Sequence, residues 1–360
     1  MTAAAALALP ARPSRGPLAG EAGLSLEIAG VRSRWVFAGE VAAPARAFAR
    51  RLRDFRSARR SGPSDLSFVV LAGGPERGPL PAPRHPGLRA ARRHFRQVSR
   101  RFPHGDPGTA AASQVTVLRE AAASAAARRE LDRFAESGDA ALLQVTSRDL
   151  VFVYPEEREV RIVLGRAEAG ETGGERALRS ALYFAHAVLL PRFGGVLLHA
   201  VAVRSGDGAH VFMGYSGSGK TTLARLLRPR GVLADDGAAV RMEGGRFLVY
   251  ATPWQQAVRL APGALRRARR GLPLRRLFVL EQGPRHSLAR IPRAEAMAGA
   301  LRSFVHCLRH MDAPAVTMAF DVARRLFSAT PCHRLRFRRD AGFWPAIDAP
   351  RPGGRRRGAA

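Results

Sequence analysis

Gly214-Tyr215-Ser216-Gly217-Ser218-Gly219-Lys220-Thr221 carries glycine, glycine, lysine and threonine at the spacing G-x-x-x-x-G-K-[ST]. The run before it, Val211-Phe212-Met213, is continuously apolar, as a buried strand is. Thr222-Leu223-Ala224-Arg225-Leu226-Leu227, after it, has the apolar spacing of a helix. A strand, a glycine-rich turn and a helix in that order turn successive backbone N–H groups toward one point, which makes a cradle for an anion. In that geometry Lys220 reaches the β and γ phosphates of ATP and the Thr221 hydroxyl binds Mg²⁺. The stretch from Gly214 to Thr222, with Tyr215, Ser216, Gly217, Ser218 and Gly219 between, is the expected phosphate-binding segment.

Composition singles out the same residue. Lys220 is the only lysine among 59 basic residues, and the chain has no asparagine. A strong bias has therefore put arginine wherever either cation would serve. A compact ammonium fits between phosphates in a tight loop and a planar guanidinium does not, so Lys220 is the position where the substitution fails.

With 360 residues, 46% of them hydrophobic, the chain has room for two domains with real cores. A net charge of +30 has the sign that nucleic acid or an anionic membrane attracts. The bias that removed lysine also raises arginine on every solvated face, so charge alone does not make nucleic acid a partner. The basic run from Arg89 to Arg101 also offers few aromatics for bases to stack on. Two cysteines, Cys307 and Cys332, make no disulfide framework. The longest uncharged apolar run, Ala181 to Pro191, is too short to cross a bilayer. Residues 1–10 lack the basic leading region of a signal peptide, so the expected location is the cytoplasm.

Taken in order, residues 1–22 form no periodic pattern and read as a disordered tail. Leu24, Leu26 and Ile28 alternate as a strand that resumes at Trp35-Val36-Phe37, and Phe48, Leu52 and Phe55 mark one face of a helix. Ser67 to Leu71 is a strand, Gly73 to Gly87 a loop, Ala121 to Ser137 a helix, and Leu142 to Val163 two strands broken at Tyr154-Pro155-Glu156-Glu157. These make a smaller N-terminal α+β domain, 23–165. A Gly/Glu-rich linker, 166–174, leads to an α/β domain at 175–348, and 349–360 is a basic tail.

In that second domain, Val196 to Val203 and the strand entering the loop form a hairpin with Gly206-Asp207 at its tip. Paired positions then sum to 413, which brings His199 opposite Gly214. Gly231-Val232-Leu233-Ala234 returns as a strand ending in Asp235-Asp236, where a carboxylate can position Mg²⁺ or accept a hydroxyl proton. A three-residue turn at Glu243-Gly244-Gly245 predicts Thr252 opposite Asp236. Among Arg266, Arg267, Arg269, Arg270, Arg275 and Arg276, one could close over a phosphate as an arginine finger.

The segment from His199 to Trp254 resembles the catalytic domain of HPr kinase/phosphorylase and its HPr-kinase-like relatives, whose nucleotide core is similar to that of phosphoenolpyruvate carboxykinase. The resemblance rests on a strand histidine, His199, on Lys220 with Thr221, and on Ala234-Asp235-Asp236. Thr252-Pro253-Trp254 and Leu280-Glu281-Gln282-Gly283 look like further shared features, and the likeness extends from Gly194 to about Ile347. It implies a P-loop α/β fold, ATP and Mg²⁺ as cofactors, Asp236 as general base and metal neighbour, and His199, Lys220 and Asp235 as further catalytic residues. The glycine-rich, metal-binding segment that follows in true HPr kinases has no counterpart here. The expected activity is transfer of the γ-phosphoryl group of ATP to a hydroxyl of a protein, peptide or small molecule. The alternative is an ATP-binding regulatory or assembly protein without transfer, for which a carboxylate at the γ-phosphate is not needed.

Overall fold

The computed structural model describes residues 23–39, 41–57, 63–73, 81–82, 84–101, 118–120, 122–144, 149–165, 171–215, 217–254, 265, 268–308 and 311–348. The expected tails at 1–22 and 349–360, Ser216, Arg266 and Arg267 lie outside them, as do parts of the 73–87 loop and residues 166–170 of the expected linker. The chain is mixed α/β with two sheets, and it divides into two compact units, one mainly of residues up to Leu189 and one mainly from Leu190 onward.

The first unit contains β1 (Gly23–Ile28), β2 (Val31–Ala38), α1 (Ala42–Arg51), β3 (Leu66–Ala72), α2 (Pro86–Arg101), α3 (Ala125–Glu136), β4 (Ala141–Gln144), β5 (Leu150–Tyr154), β6 (Glu159–Leu164) and α4 (Glu171–Leu189). Its sheet runs β1-β2-β3-β6-β5-β4, with β2, β3 and β6 parallel and β4 and β5 antiparallel additions. The stretch read as two strands is thus three. One core packs Leu88, Phe95, Leu131 and Phe134 of α2 and α3 onto Phe152 and Tyr154 of β5. Elsewhere in the unit Trp35 stacks on Phe68 at 4.0 Å, with Phe48 of α1 at 4.7 Å.

Helix α4 departs from the sequence expectation. Residues 171–174, read as linker, form its first turn, and the helix clusters with the first unit, where it packs on α1. Gly173 and Gly174 cost about 1 kcal/mol each inside a helix. The buried stripe Leu178, Ala181, Leu182, Ala185 and Leu189 outweighs them.

The second unit contains β7 (Gly195–Ser205), β8 (Gly208–Met213), α5 (Lys220–Leu226), β9 (Val232–Ala234), β10 (Gly237–Glu243), β11 (Arg246–Tyr250), β12 (Leu272–Gln282), β13 (Ser287–Arg290), α6 (Arg293–Leu308), α7 (Ala313–Ala329), β14 (Cys332–Phe337) and α8 (Trp344–Asp348). The sheet runs β11-β10-β7-β8-β12-β14-β13, with β9 also on β7. It curls until the first residues of β12 pair with β11, closing a ring of five strands. β8, β12 and β14 are mutually parallel, so the residues after Met213, Gln282 and Phe337 leave one edge of the sheet together.

The β7–β8 hairpin has the expected register, from Ala200 opposite Met213 to Ser205 opposite Gly208. The β10–β11 hairpin does not. Gly244 and Gly245, at φ 55° and 76°, form a two-residue turn, and Glu243 pairs with Arg246. Two consecutive positive φ angles suit two glycines and the right-handed strand twist, which favours the shorter loop over the three-residue one. The register therefore moves by one residue and Thr252 is not opposite Asp236.

Candidate functional site

Four strand ends and one loop build the site. β8 delivers the chain into Gly214–Gly219, and α5 begins at Lys220. Gly219 has φ +97°, and a Cβ there would stand 2.8 Å from Cζ of Phe337. Any side chain would therefore meet both backbone strain and a buried ring. At Gly214 a Cβ would collide with the side chain of Ser218, whose hydroxyl is fully buried and has no hydrogen-bond partner among the described residues. Space thus imposes glycine at Gly214 and Gly219, whereas at Gly217 a Cβ would meet nothing within 4 Å and the φ of +84° alone favours glycine.

Lys220 is 8% exposed. Its ammonium donates to the carbonyl of Gly214 at 2.8 Å and to that of Tyr215 at 2.9 Å. Burial lowers its pKa below the usual lysine value, and the nearby Asp236 carboxylate offsets part of that shift. Thr221 is exposed at the start of α5, Thr222 is half-buried, and the Tyr215 ring is 53% exposed beside them.

His199 lies on β7 opposite Gly237 of β10, beside the end of the β7–β8 ladder. Its Nδ1 is 3.0 Å from Oδ1 of Asp236, with both side chains partly exposed. Asp235, the neighbour in sequence, is buried in the bend between β9 and β10. Thr252 is fully buried, and its hydroxyl donates to the Gly237 carbonyl at 2.6 Å. The threonine so pins the backbone directly after Asp236.

The structure therefore brings His199, Asp236 and Lys220 to one end of the sheet. Of the two acids it is Asp236 whose charge acts on Lys220, while Asp235 is buried. Two of the expected arginine fingers are engaged elsewhere: Arg275 pairs with Asp207 at the hairpin tip, and Arg276 donates to the Ile347 carbonyl. Sequence reasoning marked Gln282 only as part of the shared Leu280-Glu281-Gln282-Gly283 stretch and gave it no place at the loop, where its Nε2 donates to the Gly217 carbonyl at 2.5 Å; it missed Phe337, which backs Gly219. It also missed Arg338 and Arg339, which line a cavity against the loop. All four sit at or just after the carboxyl ends of parallel strands beside the loop, the place where open α/β sheets present ligand groups.

Among the described residues no group of three or more His, Cys, Asp and Glu side chains is arranged to hold a metal ion, and no helix is long and apolar enough to cross a membrane. No curated protein matches the chain. Residues 178–349, just under half of the chain and including all the site residues above, are similar to the family described as SynChlorMet cassette protein ScmC.

Proposed function

We propose that the second unit is an HPr-kinase-like P-loop domain that binds ATP with Mg²⁺ and transfers its γ-phosphoryl group to a hydroxyl. The observation that carries the reading is the convergence of a buried lysine in a glycine loop with a histidine–aspartate pair drawn from two other strands. The loop fits a polyphosphate. Lys220 now spends its hydrogen bonds on two loop carbonyls, and a phosphate oxygen is a stronger acceptor for the same ammonium. Thr221 and Asp236 are the groups that would adjoin Mg²⁺. Phosphate oxygens and water would supply the ion's other ligands, as is usual for Mg²⁺. The ion, when bound, supplies charge neutralisation of the phosphates.

The chain's own groups divide the remaining work. Asp236 accepts the proton of the attacking hydroxyl as its oxygen bonds to the γ-phosphorus and the bond to the β-phosphate oxygen breaks, releasing ADP. His199, with Nδ1 protonated, donates to Oδ1 and holds the carboxylate so that its other oxygen faces the acceptor. Lys220 stays on the phosphates and offsets charge moving onto the leaving group. The location that follows for such an enzyme is the cytoplasm, and the acceptor is a protein, peptide or small molecule bearing a hydroxyl.

Incubation with γ-labelled ATP and candidate acceptors, read by mass spectrometry, tests this on the wild type, Asp236→Ala and Asp235→Ala. Asp236→Ala should keep nucleotide affinity and lose transfer by about 10²–10⁴-fold, the usual contribution of a positioned base. Full turnover by Asp236→Ala removes the general base from the reading. Nucleotide binding without transfer by the wild type favours the regulatory alternative.

A further inference from the structure

We propose that the cavity beside the loop seats a purine base and its ribose, with Arg339 as the side chain that reads the base. This rests on the reading of Gly214–Thr221 as a phosphate cradle. The cavity has a volume of about 420 Å³, and Gly219, Thr222, Gly283, Pro284, Phe337 and Arg339 contribute to its wall. It adjoins the loop on the side of β12 and β14, whereas His199 of β7 and Asp236, just before β10, lie on the other side of β8. From β7 to β14 is three strand spacings, or ~14 Å. That span suits an extended nucleoside triphosphate, with the reacting phosphate at the histidine–aspartate pair and the base in the cavity.

The walls suit a flat ring. Gly219 presents no side chain, Pro284 is apolar, and Phe337 closes the floor. The segments after β12 and β14 are tied together: His286 Nε2 lies 2.7 Å from Oδ1 of Asp340, the Gly283 N–H donates to the Phe337 carbonyl at 3.0 Å, and the Gly342 N–H donates to Asp340 at 2.9 Å. The rim is therefore built from two cross-braced turns. Arg338 is committed to Asp340. Arg339 is exposed and forms no hydrogen bond or ion pair with any described residue, so its guanidinium is available to a ligand.

A guanidinium carries donors only. Guanine presents two acceptors, O6 and N7, on one edge, whereas adenine presents N7 beside a donor amino group. A cavity read by Arg339 accordingly takes GTP at least as well as ATP.

Calorimetric titration of the full chain with ATP, GTP and ribose 5′-triphosphate, each with Mg²⁺, tests the assignment on the wild type and Arg339→Ala. Both nucleotides should bind about tenfold or more tighter than the base-free compound, as a stacked base contributes, with GTP no weaker than ATP. Arg339→Ala should bring the nucleotides toward ribose 5′-triphosphate and leave that compound unchanged. Equal affinity for all three in the wild type overturns the base seat. Equal loss of all three in Arg339→Ala assigns the arginine to phosphate and overturns its role, and a tenfold preference for ATP overturns the donor argument. If none of the three binds, the phosphate cradle itself fails and the base seat with it.

Discussion

The two units use charge in opposite ways. In the first, Glu130 is almost fully buried and bound by Arg161 at 2.5 Å; Arg161 also holds Glu159 at 2.9 Å, and Glu159 joins Arg133 at 2.7 Å, which reaches Glu157 at 2.6 Å. Burial pushes the Glu159 carboxyl up, but hydrogen bonds from Arg161 and Arg133 outweigh it and hold it below the ordinary value. The Arg133 guanidinium also lies 4.1 Å over the Tyr154 ring. Every cation of that network has an anion. In the second unit the buried Lys220 ammonium donates to two loop carbonyls, its hydrogen-bond partners among the described residues, and the carboxylate near it faces a histidine. Pairing each cation with an anion offsets the cost of holding charge in the interior, whereas Lys220 is held by backbone dipoles, an arrangement that suits the proposed phosphate cradle.

The comparison predicts that mutations at the site of the second unit cost binding and leave the fold, and that mutations away from it, in either unit, do the reverse. The largest effect belongs to Lys220. Losing two charge-assisted hydrogen bonds to phosphate, at about 1.5–3 kcal/mol each, should weaken nucleotide binding by about 10²–10⁴-fold in Lys220→Ala. Lys220→Arg should fail as well, because the planar fork does not fit the closed loop. Calorimetry measures both, and thermal unfolding should barely move; near-normal affinity in Lys220→Arg would remove the explanation for the solitary lysine.

Arg161→Leu comes next, because it strands Glu130 in the interior. Denaturant titration should show a loss of about 3–5 kcal/mol, largely recovered when Glu130→Leu is added, since removing both partners of a buried pair is far cheaper than removing one. Nucleotide affinity per folded molecule should stay at the wild-type value. If the double variant is no more stable than Arg161→Leu, the network is not acting as a pair-matched unit.

His186 of α4 gives a pH test of the same unit. Its ring is buried, with Nδ1 3.0 Å from the Leu182 carbonyl, and burial lowers its pKa to about 4 while that contact opposes the shift. Between pH 6.5 and about 4 the unfolded chain takes up a proton that the folded chain refuses. Stability must then fall as pH drops through that window, by up to about 3 kcal/mol from this one group. Replacing the ring by phenyl in His186→Phe should flatten the profile of unfolding free energy against pH there and nowhere else.

The smallest effect is at Gly245. Its φ of 76° penalises a side chain, but a Cβ would meet nothing within 4 Å. Gly245→Ala should therefore cost only the backbone term, about 1 kcal/mol, visible as a small drop in melting temperature with nucleotide affinity intact.

Much of the second unit was legible because its signals are local. Ser205-Gly206-Asp207-Gly208 announces a tight turn between apolar runs, and a turn fixes register on both sides, so His199 could be carried to the neighbourhood of Gly214 without coordinates. The next hairpin was misjudged by one residue because Glu243-Gly244-Gly245 reads equally as three turn residues or as a glycine pair with Glu243 in the ladder. Glycines misled again at 171–174, where packing of α4 overrides local preference. Arg339 was beyond reach for a different reason. It follows β14, whose partner β12 lies some fifty residues earlier in parallel register, and parallel pairing leaves no turn in the sequence to count from.

The ring of Phe337 beneath Gly219 has a temporal consequence. A chain emerging from the ribosome completes the glycine loop more than a hundred residues before it completes the strand that supports it, so the nascent protein carries the sequence of the cradle without its floor. Parallel pairing of β14 on β12 is also a slow, long-range step. On the proposed function, competence to hold a nucleotide would come at the end of folding rather than in the middle, and a nucleotide that binds only the finished form would act as the latch that draws the last strand in.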